Sequence, residues 1–169
     1  MNYFELFSLP AVFPIDQTRL SEIYRELQKQ AHPDKFAMHS EHERLIAMQK
    51  STEINDAYQT LKDTCLRAQY ILLLAGVDIA LEQKTLQDTG FLMQQMEWRE
   101  TIAEFSAENE DEMIHFANKI QKQRADLESL IATQLHDKQF HTAADSVRKL
   151  KFMLKLQVEI ESAEEKLFD

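Results

Sequence analysis

Three consecutive residues, His32, Pro33 and Asp34, set an imidazole and a carboxylate on either side of a rigid ring, with Arg25, Lys29 and Lys35 close by in the chain. An imidazole beside a carboxylate could do acid–base work, yet no obvious third catalytic partner accompanies the pair. Proline pushes its predecessor out of the α region, so His32 is a natural helix stop and the triplet reads as a turn. Arg25 and Lys29 lie four apart and share one face of the preceding helix. The nearby His39 and His42 come without thiolates or clear carboxylate ligands and make a poor metal site. Lone Cys65 excludes an internal disulfide and a thiolate cluster for zinc. Only two glycines, Gly76 and Gly90, exclude a Gly-rich phosphate loop. No catalytic residue, metal or cofactor is expected.

The elements that must position these residues are helical. Few glycines and prolines with abundant Gln, Glu, Leu and Ala argue for an all-α fold. A short helix over about Tyr3 to Leu9 ends at Pro10. Asp16 caps the next, in which Leu20, Ile23, Tyr24, Leu27 and Ala31 recur at helical spacing up to the opening triplet. A third helix spans about Glu41 to Lys62, with Leu45, Met48, Ile54, Tyr58 and Leu61 on one side. A fourth, CLRAQYILLLAG, stops at Gly76. After a weakly periodic connector come three more, about Thr89 to Phe105, Glu110 to His136 and Lys138 to Phe168, joined by short links as in an antiparallel three-helix bundle. Met113, Phe116, Ala117, Ile120, Leu127, Ile131 and Leu135 form the stripe of the middle one. Two modules are expected, residues 1–76 and 88–169, joined by a connector at 77–87.

Among 169 residues, 44% are hydrophobic and 28% charged, as in an ordinary soluble protein. No apolar run approaches the ~20 residues of a spanning helix. The opening MNYFELFSLP lacks a basic leader region, so a cytoplasmic location is expected. The formal charge of −10 is uneven: residues 77–169 carry 11 Lys/Arg against 19 Asp/Glu, whereas residues 1–76 carry 8 against 10. So acidic a second half argues against nucleic acid as partner.

The first bundle helix carries more apolar surface than it can bury. At roughly 100° per residue, Phe91, Trp98, Ile102 and Phe105 share one stripe, while Leu92, Met93 and Met96 fall nearly opposite. A bundle helix needs only one apolar face, so the second facet calls for a partner. The last helix shows the same pattern, with Ala143, Val147, Leu150 and Leu154 as core and Phe152 and Leu156 on another side. Packing against the first module is the plainer explanation for either facet.

Residues 1–76 resemble a J-domain, the module through which co-chaperones stimulate DnaK-type ATPases. The resemblance rests on Tyr3-Phe4 and Leu6, the basic helix ending in His32-Pro33-Asp34-Lys35, INDAYQTLKD (Ile54 to Asp63) and RAQY (Arg67 to Tyr70). Glu26 stands where many J-domains carry a second basic residue. The segments NYFELFSLP, HPDKF, FLMQQMEWRE (Phe91 to Glu100) and AADSVRKLKF (Ala143 to Phe152) extend the resemblance over nearly the whole chain, to the HscB-type co-chaperones of iron–sulfur cluster assembly. There is no Gly/Phe-rich linker and no cysteine-rich zinc module. The N-terminal cysteine pairs of eukaryotic relatives are also missing, which favours a bacterial-type member.

The resemblance implies two surfaces and no enzymatic activity. His32, Pro33, Asp34, Lys35, Arg25 and Lys29 would bind an HscA-like DnaK-type chaperone and stimulate its ATPase. Leu92, Met93, Met96, Glu97, Arg99, Glu100, Glu104 and Phe152 would bind an IscU-type scaffold protein, with Met96 in place of an expected leucine. Two other readings remain open: a J-domain protein with a different client, and a helical adaptor that regulates no ATPase.

Overall fold

The computed structural model describes residues 1–80 and 88–168, and every regular element among them is helical. In chain order these are α1 (Tyr3–Leu6), α2 (Gln17–Ala31), a 3-10 turn (Pro33–Phe36), α3 (Glu41–Lys62) and α4 (Thr64–Leu74). They are followed by α5 (Thr89–Ala103), a 3-10 turn (Ala107–Asn109), α6 (Glu110–His136) and α7 (Phe140–Phe168). The chain divides into two compact units, Met1–Ala75 and Gly76–Asp169. Residues 81–87 of the expected connector lie outside the described residues. No helix among the described residues is long and apolar enough to cross a membrane.

Local chemistry explains most helix boundaries. Asp16, Ser40, Asp63 and Asp88 each accept a backbone N–H of the first turn of α2, α3, α4 and α5, the role an N-cap side chain fills. Three helices end or begin at a different place from the one their composition indicates, among them α5, which closes at Ala103 rather than Phe105. Helix α1 ends at Leu6 rather than Leu9 because Ser8 takes φ 54°, with Ser8 N–H donating to the Glu5 carbonyl and Leu9 N–H to that of Phe4. Lys138, at φ 57°, closes α6 in the same way, so α7 starts two residues later than its composition indicates. Both are left-handed stops of the kind glycine usually provides.

The first unit is built on the antiparallel pair α2 and α3. Its interior holds Phe4, Phe7, Leu20, Ile54, Ala57, Leu61, Ala68 and Leu72. The stripe expected on α3 holds only in part, since Leu45 and Met48 are exposed and Ala47 is buried instead. The reason is phase: Leu45 lies nine residues before Ile54, which is roughly half a turn out of register at about 3.6 residues per turn. Arg67 from the RAQY segment is buried, and it donates from Nε to the Phe13 carbonyl and from Nη1 to the Leu61 carbonyl, both at 2.7 Å. One guanidinium thus joins α4, the end of α3 and the segment before α2. Tyr70, in the same motif, accepts the Tyr3 N–H at 3.0 Å and stacks on the Tyr3 ring at 4.6 Å.

The second unit is a long α6–α7 hairpin with α5 laid against it. Trp98 of α5, 3% exposed, packs with Phe116 and Ile120 of α6 and Met153, Leu156 and Ile160 of α7. The Arg67 arrangement carries a stability consequence. Arg67→Met strips two buried carbonyls of their donor, so unfolding of the first unit, followed by circular dichroism in urea, is expected to lose about 2–4 kcal/mol.

Candidate functional site

The loop begins where Pro33 forbids α2 to continue. His32, at φ −58° and ψ 131°, is both the last cap of α2 and the first cap of the 3-10 turn. Within the turn, Lys35 N–H donates to the His32 carbonyl at 3.0 Å and Asp34 N–H donates to His32 Nδ1 at 3.2 Å. The Asp34 side chain is 93% exposed. The Phe36 ring sits 5.1 Å from that of His39, whose Nδ1 is 2.6 Å from Glu43. Among the described residues no three His, Cys, Asp or Glu side chains gather as a metal site.

Behind the loop, polar contacts latch one flank of the α2–α3 pair. Tyr24 stacks on Tyr58 at 4.0 Å and donates to Asn55 Oδ1 at 3.2 Å. Gln28 donates to the Ser51 carbonyl at 3.2 Å and accepts from Ser51 Oγ at 2.8 Å. The latch floors an open cleft of about 790 Å³, whose lining includes Arg25, Lys29 and His32. Three of the six loop-site residues expected from sequence thus meet at one cleft, while Pro33, Asp34 and Lys35 lie in the turn beyond it. Sequence reading missed Gln28, Ser51, Thr52 and Asn55 as cleft residues, although polar residues edging the core stripe of a hairpin could have signalled them.

On α5 the outer face carries Leu92, Met93 and Met96, which are 40%, 61% and 65% exposed. Glu97, Glu100 and Glu104 are exposed as well. Arg99 leans across to α7, with its guanidinium 5.5 Å over the Phe152 ring and 3.6 Å from Glu159. Phe152 needs a correction to the sequence reading. It is half-buried, edge-on to Phe91 at 5.8 Å and stacked with Trp98 at 6.4 Å, and Leu156 is fully inside. Helix α7 packs against both α5 and α6, so its buried arc is wider than one stripe, and Phe152 marks the edge of that arc rather than a free facet.

An ion pair fixes the start of α5. Asp88 accepts the Phe91 N–H at 3.1 Å and meets Lys149 of α7 at 2.7 Å, and Lys149 also lies 5.5 Å over the Phe91 ring. The hydrogen bond from Lys149 holds the Asp88 carboxyl below its ordinary value, helped by that from Phe91 N–H. Neither Asp88 nor Lys149 carries a signal that sequence reading could have paired.

Comparison with known proteins fits this geometry. Residues 2–70 match the DnaJ domain family and residues 87–161 the HSCB C-terminal oligomerisation domain family. The chain is 70% identical to the co-chaperone protein HscB homolog of Psychromonas ingrahamii over the full length of both. The chain belongs to the HscB co-chaperone family. Its fold is similar to that of the chaperone HscB from Vibrio cholerae (TM-score 0.90, 43% identity, covering 99% of this chain and 100% of that one). It is similar also to the human co-chaperone protein HscB (TM-score 0.92, 26% identity, covering 99% and 84%). The first unit of this HscB-family chain is its J-domain, with His32-Pro33-Asp34 in the turn between α2 and α3.

Two outcomes follow for the second unit. Phe152→Ala is expected to lower its unfolding free energy by about 2 kcal/mol, read from the fluorescence of Trp98, the single tryptophan of the chain. For Asp88, the folded carboxyl titrates below the unfolded one, so its contribution is present above the unfolded value and lost as pH falls through the folded one. Asp88→Asn, which retains a capping oxygen, is therefore expected to be less stable than wild type at pH 7 and to converge on it below about pH 4. Urea unfolding across that range, followed at Trp98, checks it.

Proposed function

We propose that this co-chaperone binds an IscU-type scaffold through the outer face of α5, delivers it to an HscA-like DnaK-type chaperone, and stimulates that chaperone's ATPase through the His32-Pro33-Asp34 turn, assisting iron–sulfur cluster transfer in the cytoplasm. The carrying observation is the exposure of Leu92, Met93 and Met96 opposite the buried Trp98 stripe, in a chain of the HscB family. Methionine suits such a surface because its flexible thioether chain adapts to the partner. Glu97, Glu100 and Glu104 rim it with negative charge, which favours a partner face bearing lysine or arginine. Phe152 contributes its outer edge beneath Arg99.

At the other unit, Arg25 and Lys29 offer positive charge along the cleft, and the rigid Pro33 reduces the ordering cost of docking. In this reading the chain supplies contacts, and hydrolysis takes place in the chaperone. Holding both partners on one chain raises their effective concentration for each other.

Two experiments test the reading. His32→Gln is expected to retain helicity and melting behaviour by circular dichroism yet abolish stimulation in single-turnover hydrolysis by the cognate chaperone; full stimulation by the variant counts against the turn. Leu92→Ala with Met96→Ala, both outside the core, is expected to weaken scaffold binding by about tenfold or more in calorimetric titration, with basal stimulation retained. Unchanged affinity removes the α5 face from the contact and favours a different client. A wild type that binds both partners without raising hydrolysis is the plain adaptor instead.

A further inference from the structure

Two thioethers stand on the outer face of α5. Met93 and Met96 lie three residues apart, so their side chains are neighbours, and they are 61% and 65% exposed. The other two methionines of the second unit have the opposite setting. Met113 and Met153 are 1% and 2% exposed, and Met153 belongs to the cluster around Trp98. One side-chain chemistry is thus divided between a wet face and a sealed core. The division matters because a thioether reacts with mild oxidants, whereas Leu92 beside the outer pair is inert. Glu97 and Glu100, each four residues on from one of the two methionines, are exposed next to them. Their charge repels anionic oxidants and leaves an uncharged hydroperoxide as the reagent that reaches the sulfurs.

We propose that Met93 and Met96 form a reversible oxidation site through which hydrogen peroxide loosens the hold of α5 on the scaffold. This rests on the reading of that face as the scaffold-binding surface. A sulfur lone pair attacks one peroxide oxygen; the O–O bond breaks, an S–O bond forms, and the second oxygen leaves as water with both peroxide protons. Sulfur is oxidised by two electrons and the peroxide is reduced by two. The sulfoxide is polar and chiral where the thioether was apolar and pliant. Docking against an apolar partner surface then takes that oxygen out of water, so a group that favoured the contact opposes it. The core thioethers are out of reach of the oxidant, and the bundle keeps its fold while its outer face changes character. Methionine sulfoxide reductases, drawing on a thiol reductant, return the sulfur to the thioether.

In the test the full-length chain is treated with hydrogen peroxide, freed of it with catalase, and titrated calorimetrically against an IscU-type scaffold. Peptide mass spectrometry is expected to find one added oxygen on Met93 and on Met96 well before any on Met113 or Met153. Scaffold affinity is expected to fall by about tenfold or more, the loss of a central contact, and to return after treatment with the reductases. Urea unfolding followed at Trp98 is expected to stay where it was, a readout that damage to the core would move. The Met93→Leu, Met96→Leu double variant, whatever its own affinity, is expected to bind equally before and after peroxide. It keeps Met1, Met38, Met48 and Cys65, so it controls for oxidation elsewhere in the chain. Recovery under the reductases makes the same test without a substitution. Resistance of Met93 and Met96 to peroxide, unchanged affinity of the oxidised chain, a double variant that weakens as much as wild type, or a weakening matched by lost stability at Trp98 overturns the proposal. A reduced wild type that binds no scaffold overturns the proposed function instead, and the role of the two sulfurs with it.

Discussion

A helix that packs on one side can bury only one arc of its circumference, and α5 fills that arc with Phe91, Trp98, Ile102 and Phe105. Everything proposed for the second unit descends from this limit. Because Trp98 is committed to the interior between α6 and α7, the residues half a turn away have nothing of their own unit to pack on. Leu92, Met93 and Met96 therefore stay in water at a cost of roughly 25 cal/mol per Å² of apolar area, which the scaffold partner proposed above would relieve. The Asp88–Lys149 pair and the Arg99–Glu159 pair join α5 to α7 near its two ends. These partly exposed pairs flank the Trp98 stripe, whose burial sets the rotation of α5 and with it the direction in which the apolar face looks.

The first unit solves a different problem. A turn that must meet another protein has to be firm without being buried. Pro33 removes conformational freedom, the two acceptors of His32 close the turn, and the stacked Tyr24 and Tyr58 with the reciprocal Gln28–Ser51 bonds hold the two helices behind it. These are mostly partly exposed polar contacts, which fix geometry more than they add stability. Apolar burial is concentrated at the other end, where Leu20, Ile54, Leu61 and Leu72 meet and Arg67 joins three segments.

What the sequence displayed and what it hid follow from the same physics. Helix identities were legible because the cap Asp16, the proline after His32 and the spacing of apolar residues are local signals; the caps Ser40 and Asp88 went unread. The early stops at Ser8 and before Phe140 were not legible, since a left-handed serine or lysine looks like any other residue until its carbonyl partners are known. The outer facet of α5 could be read from one helical wheel because its apolar residues fall into two well-separated arcs, one of which holds Trp98. Phe152 and Leu156 were misjudged by the same arithmetic because the buried arc of α7 is wider than one stripe, and a wheel does not show how wide an arc its neighbours cover. The stripe on α3 failed where Leu45 and Met48 drifted out of phase with Ile54. The cleft lining of Gln28, Ser51 and Asn55 depended on pairing between helices, which no single stretch displays.

The uneven distribution of apolar contacts along α2 and α3 has a further effect on motion. Near the turn, Met38, Leu45, Ile46 and Met48 are exposed and Ala47 is the lone buried apolar side chain of the first part of α3, whereas beyond Ile54 the helix runs through the densest part of its unit. Free energy of local opening should accordingly climb along the hairpin, from low at the tip to nearly global at its base. In amide exchange the tip would report fast, separable openings and the base would exchange only when the whole unit unfolds. A docking protein that clamps the tip would then slow those openings most strongly, so that binding is registered as stiffening far more than as displacement.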